Sequence, residues 1–441
     1  MTIATLAQAE AWLEGLINVE RLRDQRRARL SLGPIRALLT QLGNPEAGLR
    51  VIHLAGSKGK GSTALLAEAL LRAAGLSVGT FTSPHLERWT ERFRLDGEPV
   101  PGGRLAKAVA RLRGPVEAQR AAGGAVSFFD ATTAAALLLF AEARVDVAIL
   151  EVGLGGRLDS TNAVAPAVCA ITSIELEHCE KLGDSVAAIA AEKVGIAKAG
   201  VPLVVGALPA EAEAVVMAQA HARGCKPARL GRELRVTLLE EGPLASRFRL
   251  EDGPLHLEAR LNWPGAHQVR NAALALACVR RLGVVDVAKL ASLAREAFAS
   301  VVLPGRVEVL GRAPWRVVDA AHTAQSAAAL AQVLARLPHR RGHMVVSISA
   351  GKDTTAICQA LEPLLDEVTL TRAEATRSLD PAELARAVHA AAPDAQLRIQ
   401  ADPRRALREA RAALGAEDLL CATGSVYLAG IARNVLAGGD D

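Results

Sequence analysis

Along the chain, short apolar runs alternate with longer segments whose apolar residues recur every three or four positions. Val51, Ile52 and Leu54 make the first strand-like run, which passes through a glycine-rich turn into a helical segment over 62–74. Runs near 77–82, 145–152, 167–174 and 202–205 read as further strands, and 126–143 and 185–198 as helices. Residues 1–48 read as helices; Pro34 opens a segment whose Ile35, Leu38, Leu39 and Leu42 share a face, and Gly43 closes it. After 206 the pattern gives a helix, then β-hairpins to 260, then a helix from 265 through 281. Leu303, Pro304, Gly305 and Arg306 break the alternation.

Beyond that break it starts afresh. Strands are predicted at 315–320, 344–349, 368–371 and 419–423, with helices from Ser326, Thr354, Pro381 and Pro403. Pro381 and Pro403 each follow an Asp, which pairs an N-cap acceptor with a residue suited to the first helical turn. Strands that alternate with helices imply an α/β fold with a mostly parallel sheet. The break near 303–305 divides the chain into 1–302 and a smaller α/β domain at 303–441, with no repeat of sequence between them.

At 441 residues the chain exceeds what one core usually serves, so composition agrees with two domains. Half the residues are hydrophobic but only 3% are aromatic, so its Ala- and Leu-rich helices should pack closely. The net charge of +5 and pI near 9.0 suit anionic small molecules at least as well as nucleic acid. The one dense basic run (Arg21, Arg23, Arg26, Arg27, Arg29) reads as a solvated helix face, because no aromatic residue interleaves for base stacking. Cys169, Cys179, Cys225, Cys278, Cys358 and Cys421 lie far apart, which argues against a zinc knuckle or disulfide framework and for a reducing compartment. Early acids (Glu10, Glu14) and the absence of a long apolar stretch lead to the expectation of a cytoplasmic protein.

The chemistry concentrates in VIHLAGSKGKGST at 51–63. Strand, glycine loop and helix is the layout that wraps a phosphate chain: backbone N–H groups turn inward and the helix start adds positive charge. Lys60 stands where the phosphate lysine must be, and Ser62 follows two residues later. The spacing departs from G-x-x-x-x-G-K-[ST], so a glycine turn with a solvated lysine is the plainer alternative. Thr82 and Ser83 end a strand at the edge where doubly wound sheets bind ligands. Glu151 ends the apolar run 145–152, a position suited to a nucleotide's magnesium. His178 follows another strand tip; a lone histidine is more often structural, but its place beside Glu151 strengthens it. Lys193 sits among Ala, Val, Gly and Ile, a setting that lowers a lysine's proton affinity. From its own segment, an exposed lysine on an amphipathic helix is the better reading.

Several longer stretches occur in a fixed order: LGNP at 42–45, HLAGSKGKGST, TSPHL at 82–86, LEVGLGGRLDSTN at 150–162, ITSIELEHCEKLG running on to EKVGIAK, PGAHQVRNAALAL at 264–276, PGR at 304–306, DAAHT at 319–323 and TGSVYLAG at 423–430. Together they resemble the folylpolyglutamate synthase/dihydrofolate synthase family of the Mur ligase superfamily. The resemblance implies a P-loop Mur-ligase-type domain with a parallel-rich sheet and a C-terminal Rossmann-like α/β domain. It implies an ATP-dependent amide ligase that adds L-glutamate to a pterin acid or folate.

On the matching positions, ATP would be held by Lys58, Gly59, Lys60, Gly61 and Ser62, and by Asn271, Arg306, Asp319 and His322. Magnesium (Mg2+) would be held by Ser83, Glu151, His178 and a carbamate on Lys193; Lys60, His178 and Lys193 would be catalytic. Phe128, Phe129, Asp130, Leu158, Asp159 and Ser160 would bind the pterin substrate. The implied partners are small molecules, with no nucleic acid or membrane, and the protein would act as a monomer. Lys58 and Thr323 stand where asparagine is usual, Glu177 where Asp is, and Asp130 where Glu is. The last two leave room for a Mur-type ligase joining a different amino acid to a different carboxylate; a nucleotide-binding scaffold without catalysis is the reading from another class.

Overall fold

The computed structural model describes residues 3–17 and 31–438; the basic run 21–29, read above as a solvated helix face, lies outside them. Two compact units emerge. The first comprises 1–240, 247–262 and 266–301, and the second 241–246, 263–265 and 302–441.

The first unit is built on eight strands: β1 (Val51–Ala55), β2 (Val78–Phe81), β3 (Phe93–Leu95), β4 (Glu98–Pro99), β5 (Val147–Glu151), β6 (Val168–Ile171), β7 (Leu203–Val205) and β8 (Pro227–Arg229). Their order is β4-β3-β2-β5-β1-β6-β7-β8. All neighbours from β2 to β8 run parallel, while β3 and β4 close one edge antiparallel. β1, β2, β5 and β6 are buried along their whole length, as parallel strands covered on both faces must be, which is why they read as continuous apolar runs. One face is covered by a core that includes Leu38, Leu39, Phe81, Phe93, Leu112 and Phe140. Further along the same face a second core holds Ile171, Ile189, Val194, Leu203 and Val216.

Register decides what meets at the sheet's end. Leu54 lies opposite Glu151 on one side and Ala170 on the other. The turn after β1, the acid that ends β5 and the segment after β6 therefore leave the sheet at the same, carboxyl-terminal edge. A small second sheet holds β9 (Leu234–Glu241), β10 (Ser246–Asp252) and β11 (Leu255–Leu261) in the order β11-β10-β9. Alternate residues of β10 and β11 are buried, and Phe248 packs on Phe298 of the helix Val287–Ser300 with ring centroids 6.2 Å apart.

The second unit carries six strands: β12 (Glu308–Arg312), β13 (Trp315–Val318), β14 (Gly342–Val346), β15 (Glu367–Leu370), β16 (Gln396–Ile399) and β17 (Leu419–Thr423). In the order β12-β13-β17-β14-β15-β16, all neighbours are parallel except β12 against β13. This Rossmann-like sheet and the parallel-rich sheet of the first unit bear out the α/β expectation. Asp380 and Asp402 cap their helices through the side chain, with Pro381 and Pro403 opening the first turn.

The structure also shows what the pattern hid. Gly102–Ala121 is one helix with Pro115 inside it, and its mixed polar and proline content masked the periodicity. β8, β12 and β16 are too short or too exposed to stand out. The helix capped by Ser185 ends at Lys193 instead of running to 198, and a short 3-10 turn, Val194–Ile196, follows. Among the described residues no helix is long and apolar enough to cross a membrane.

Candidate active site

The segment after β1 is a tight loop laced onto the segment after β6. Ser57 N donates to Ser173 O at 2.8 Å and Lys58 N to Ser173 Oγ at 2.9 Å, while Thr172 Oγ1 donates to Lys58 O at 2.5 Å. Gly56 and Gly59 are glycines of necessity. Gly56 has φ +151°, and a Cβ there would lie 2.0 Å from Thr172 Oγ1; Gly59 has φ +84°, and its Cβ would lie 2.4 Å from Asn271 Oδ1. Gly59 heads the helix Lys60–Ala73 with no side-chain cap, so the first-turn amides face outward as an anion cradle. Lys60 curls back over the loop, its Nζ 2.8 Å from Gly56 O. Asn271, from the helix Ala266–Leu282, closes over Gly59 and is held by Gln268.

Beside this cradle Glu151 is buried at the tip of β5. Its Oε2 accepts from Ser83 N at 3.0 Å and would lie 3.4 Å from a Cβ on Gly61. The Glu151 carboxylate and the Ser83 hydroxyl are the hard oxygen donors that magnesium takes, so this corner fits that ion. Among the described residues no three His, Cys, Asp or Glu side chains gather as a metal-holding group. His178, half-buried, heads the short helix Cys179–Leu182 in the left-handed region with φ 50°.

Lys193 corrects the reading from its own segment: it is 2% exposed. Its Nζ lies 3.1 Å from Glu177 Oε1, and Lys58 Nζ lies 3.4 Å from Glu177 Oε2. Burial pulls Lys193 down to about 8 against the opposing pull of Glu177. Burial would raise the Glu177 carboxyl, but the charges of Lys193 and Lys58 win and hold it well below the usual carboxylate range. Glu177 was noted in the sequence only as a departure from Asp. The ion pairs that give it a role join segments more than a hundred residues apart in the case of Lys58, with a separation of 119.

The loop 153–162, after β5, forms a second cluster. Asp159 is buried and spends its carboxylate on the chain itself: Oδ2 accepts from Gly153 N at 3.1 Å and Leu154 N at 2.9 Å, Oδ1 from Thr161 N at 3.0 Å. Burial pushes its carboxyl up to about 6 despite these bonds. Ser160 Oγ donates to Asp130 Oδ1 at 2.7 Å, and Asp130 also caps its own helix with Ser127. Burial raises Asp130 as well. Phe128 is part of an aromatic core, edge-on to Trp89 at 5.1 Å with Arg92 over both rings, whereas Phe129 and Leu158 are partly exposed.

The remaining residues lie in the second unit. Asp319 is buried at the end of β13, accepting from Val307 N and Ala321 N, each at 2.7 Å, and burial pushes it up to about 6 against the nearby Arg306 charge. His322 Nδ1 donates to Ala320 O at 2.8 Å. Thr323, in place of asparagine, caps the helix Ala324–Leu334.

The Mur ligase middle domain matches residues 54–279, and the Mur ligase glutamate ligase domain matches residues 305–426. A dihydrofolate synthase/folylpolyglutamate synthase of Mycobacterium tuberculosis is 36% identical over 85% of this chain and 81% of its own length. A probable bifunctional folylpolyglutamate synthase/dihydropteroate synthase of Haloferax volcanii is 36% identical over 93% of this chain, which spans about half, 49%, of that longer protein. Among solved structures, Mycobacterium tuberculosis folylpolyglutamate synthase complexed with ADP and AMPPCP superposes with a TM-score of 0.87, at 33% identity and 99% coverage of both chains. A bifunctional folylpolyglutamate synthase/dihydrofolate synthase with Mn, AMPPNP and L-glutamate bound gives 0.82, at 28% identity and 98% coverage of both. The chain belongs to the folylpolyglutamate synthase/dihydrofolate synthase family of Mur ligases.

Proposed function

We propose that the protein is an ATP-dependent ligase that joins L-glutamate to dihydropteroate, to folates, or to both. The observation that carries this reading is one sheet edge that gathers the phosphate loop with Lys60, the Glu151–Ser83 oxygen pair, and the buried Lys193. The loop amides and Lys60 bind the triphosphate and neutralise charge on the phosphoryl group in transfer, which is a matter of position and electrostatics. The acceptor's carboxylate attacks the γ-phosphorus and gives an acyl phosphate and ADP. The amine of glutamate then attacks the acyl carbon and expels phosphate.

Magnesium, held by Glu151, Ser83 and His178, would screen the phosphates. The lowered basicity of Lys193 fits a carbamate there, whose oxygens would add to the ion's ligands. Asp130 and Ser160, with the partly exposed Phe129 and Leu158, line the acceptor's place. Residues 1–302 then serve as the ATP-binding domain and 303–441 as the glutamate domain. Asn271, Arg306, Asp319 and His322 join the nucleotide's contacts on the strength of their motifs. The six free cysteines suit a reducing cytoplasm, and the protein works as a monomer. ADP release with dihydropteroate and with a reduced folate, each with and without glutamate, tests the reading; no glutamate-dependent release with either acid overturns it.

A further inference from the structure

His53 has no part in the chemistry above, yet it lies at the centre of β1, fully buried, with apolar neighbours Ile52 and Leu54 in the strand. A polar ring in such a place is costly unless it is bonded, and a leucine would pack there more simply. Its Nε2 lies 2.8 Å from Thr161 Oγ1. Thr161 has one hydroxyl proton, and it goes to Asp159 Oδ1 at 2.5 Å. Nε2 must therefore be the donor to Thr161, and Nδ1 is buried without a hydrogen-bond partner. Burial, helped by the charge of Lys198, holds the ring neutral, with its pKa lowered to about 3.

The bonds converge on Asp159: His53 donates to Thr161, Thr161 donates to Asp159, and the amides of Gly153 and Leu154 donate to the other oxygen of the same carboxylate. They tie the loop 153–161 to the strand that, three residues after His53, turns into the phosphate loop at Gly56. Ser160, between Asp159 and Thr161, is thereby held in reach of Asp130. We infer that His53 is a positioning residue for the acceptor, acting through Thr161 and Asp159 to fix the loop that carries Ser160. The inference rests on the proposed reading in that this loop meets the acceptor.

The test compares His53→Leu and Thr161→Val, which remove a donor or the hydroxyl at similar volume, with His53→Gln and Thr161→Ser, which keep one. Two readouts are taken: KM for dihydropteroate or a reduced folate against KM for ATP, and amide hydrogen exchange over 153–161. The removing variants should raise the acceptor KM about tenfold and leave the ATP KM within about twofold, as expected for one lost buried hydrogen bond. They should also speed exchange at Gly153 and Leu154. The keeping variants should recover most of both effects, and the His53→Leu/Thr161→Val double variant should be no worse than either single one. Acceptor and ATP constants that rise together, additive single effects, or unchanged exchange would each overturn the inference. Should His53→Leu fail to fold, Thr161→Val carries the comparison. If the wild type turns over neither pterin acid, the proposed function falls, and exchange alone decides whether His53 holds the loop.

Discussion

Glu177 Oε1 and Lys193 Nζ lie 3.1 Å apart, and their side chains are only 8% and 3% exposed. The second oxygen of Glu177 reaches Lys58 on the phosphate loop. One carboxylate thus bridges the lysine of the phosphate loop and the buried lysine. The pair also links the segment after β6 to the end of the helix Val186–Lys193, two pieces that chain proximity alone would leave free.

Glu177→Gln should therefore cost both stability and turnover. Removing one partner of a buried ion pair leaves the other uncompensated, at about 3 kcal/mol. Glu177→Gln/Lys193→Met removes both charges and should regain most of the stability but none of the activity. Urea unfolding with an ADP-release assay separates the two effects; a double variant no more stable than Glu177→Gln would count against the pair.

Lys60 Nζ donates to the loop carbonyls of Gly56 and Ser57, so its loss should spare the fold. Lys60→Ala is expected to lower kcat by about a hundredfold or more, the scale of one lost charge-stabilising contact. Its melting temperature should stay within a few degrees of wild type. A variant with near-normal kcat would remove Lys60 from the mechanism.

Gly59→Ala meets two obstacles at once, a positive φ of +84° and the Asn271 side chain at 2.4 Å. Nucleotide affinity should fall by at least about tenfold, because either obstacle costs about 1 kcal/mol or more. Titration with a fluorescent ATP analogue measures it. Gly103→Ala, where a Cβ meets nothing within 4 Å, is the matched control and should bind normally.

His53 gives a pH dependence of stability with a definite sign. Its folded pKa of about 3 lies below the ordinary 6.5, so the unfolded chain takes up the proton first as pH falls. The stability it contributes is complete above pH 6.5 and is lost on acidification towards pH 3. His53→Gln has no such loss, so its stability relative to wild type should rise by about 2 kcal/mol between pH 8 and pH 5. Asp159, raised to about 6, acts in the opposite sense but is present in both proteins. Urea midpoints of the two proteins that move in parallel with pH would show that His53 titrates normally when folded.

Much of the fold was legible beforehand because its signals are local. Val51, Ile52 and Leu54 ahead of a glycine turn, and Asp before Pro at 380 and 402, act through neighbours a few residues away. The same holds for the phosphate loop, whose glycines and Lys60 do their work within six residues. Pro115 and the polar surface of Gly102–Ala121 hid a helix whose stability comes from Leu105, Val109 and Leu112 packing inward.

The sequence by itself thus determined the α/β succession, the glycine cradle and the identity of the acids and bases that could serve it. Only the tertiary structure decided which of them meet. Lys58 finds Glu177 across 119 residues and His53 finds Thr161 across 108, because parallel strands in fixed register bring their ends to one edge. It also decided that Lys193 is buried instead of solvated. Exposure and pairing are properties of the packed sheet, and no stretch of chain a few residues long carries them.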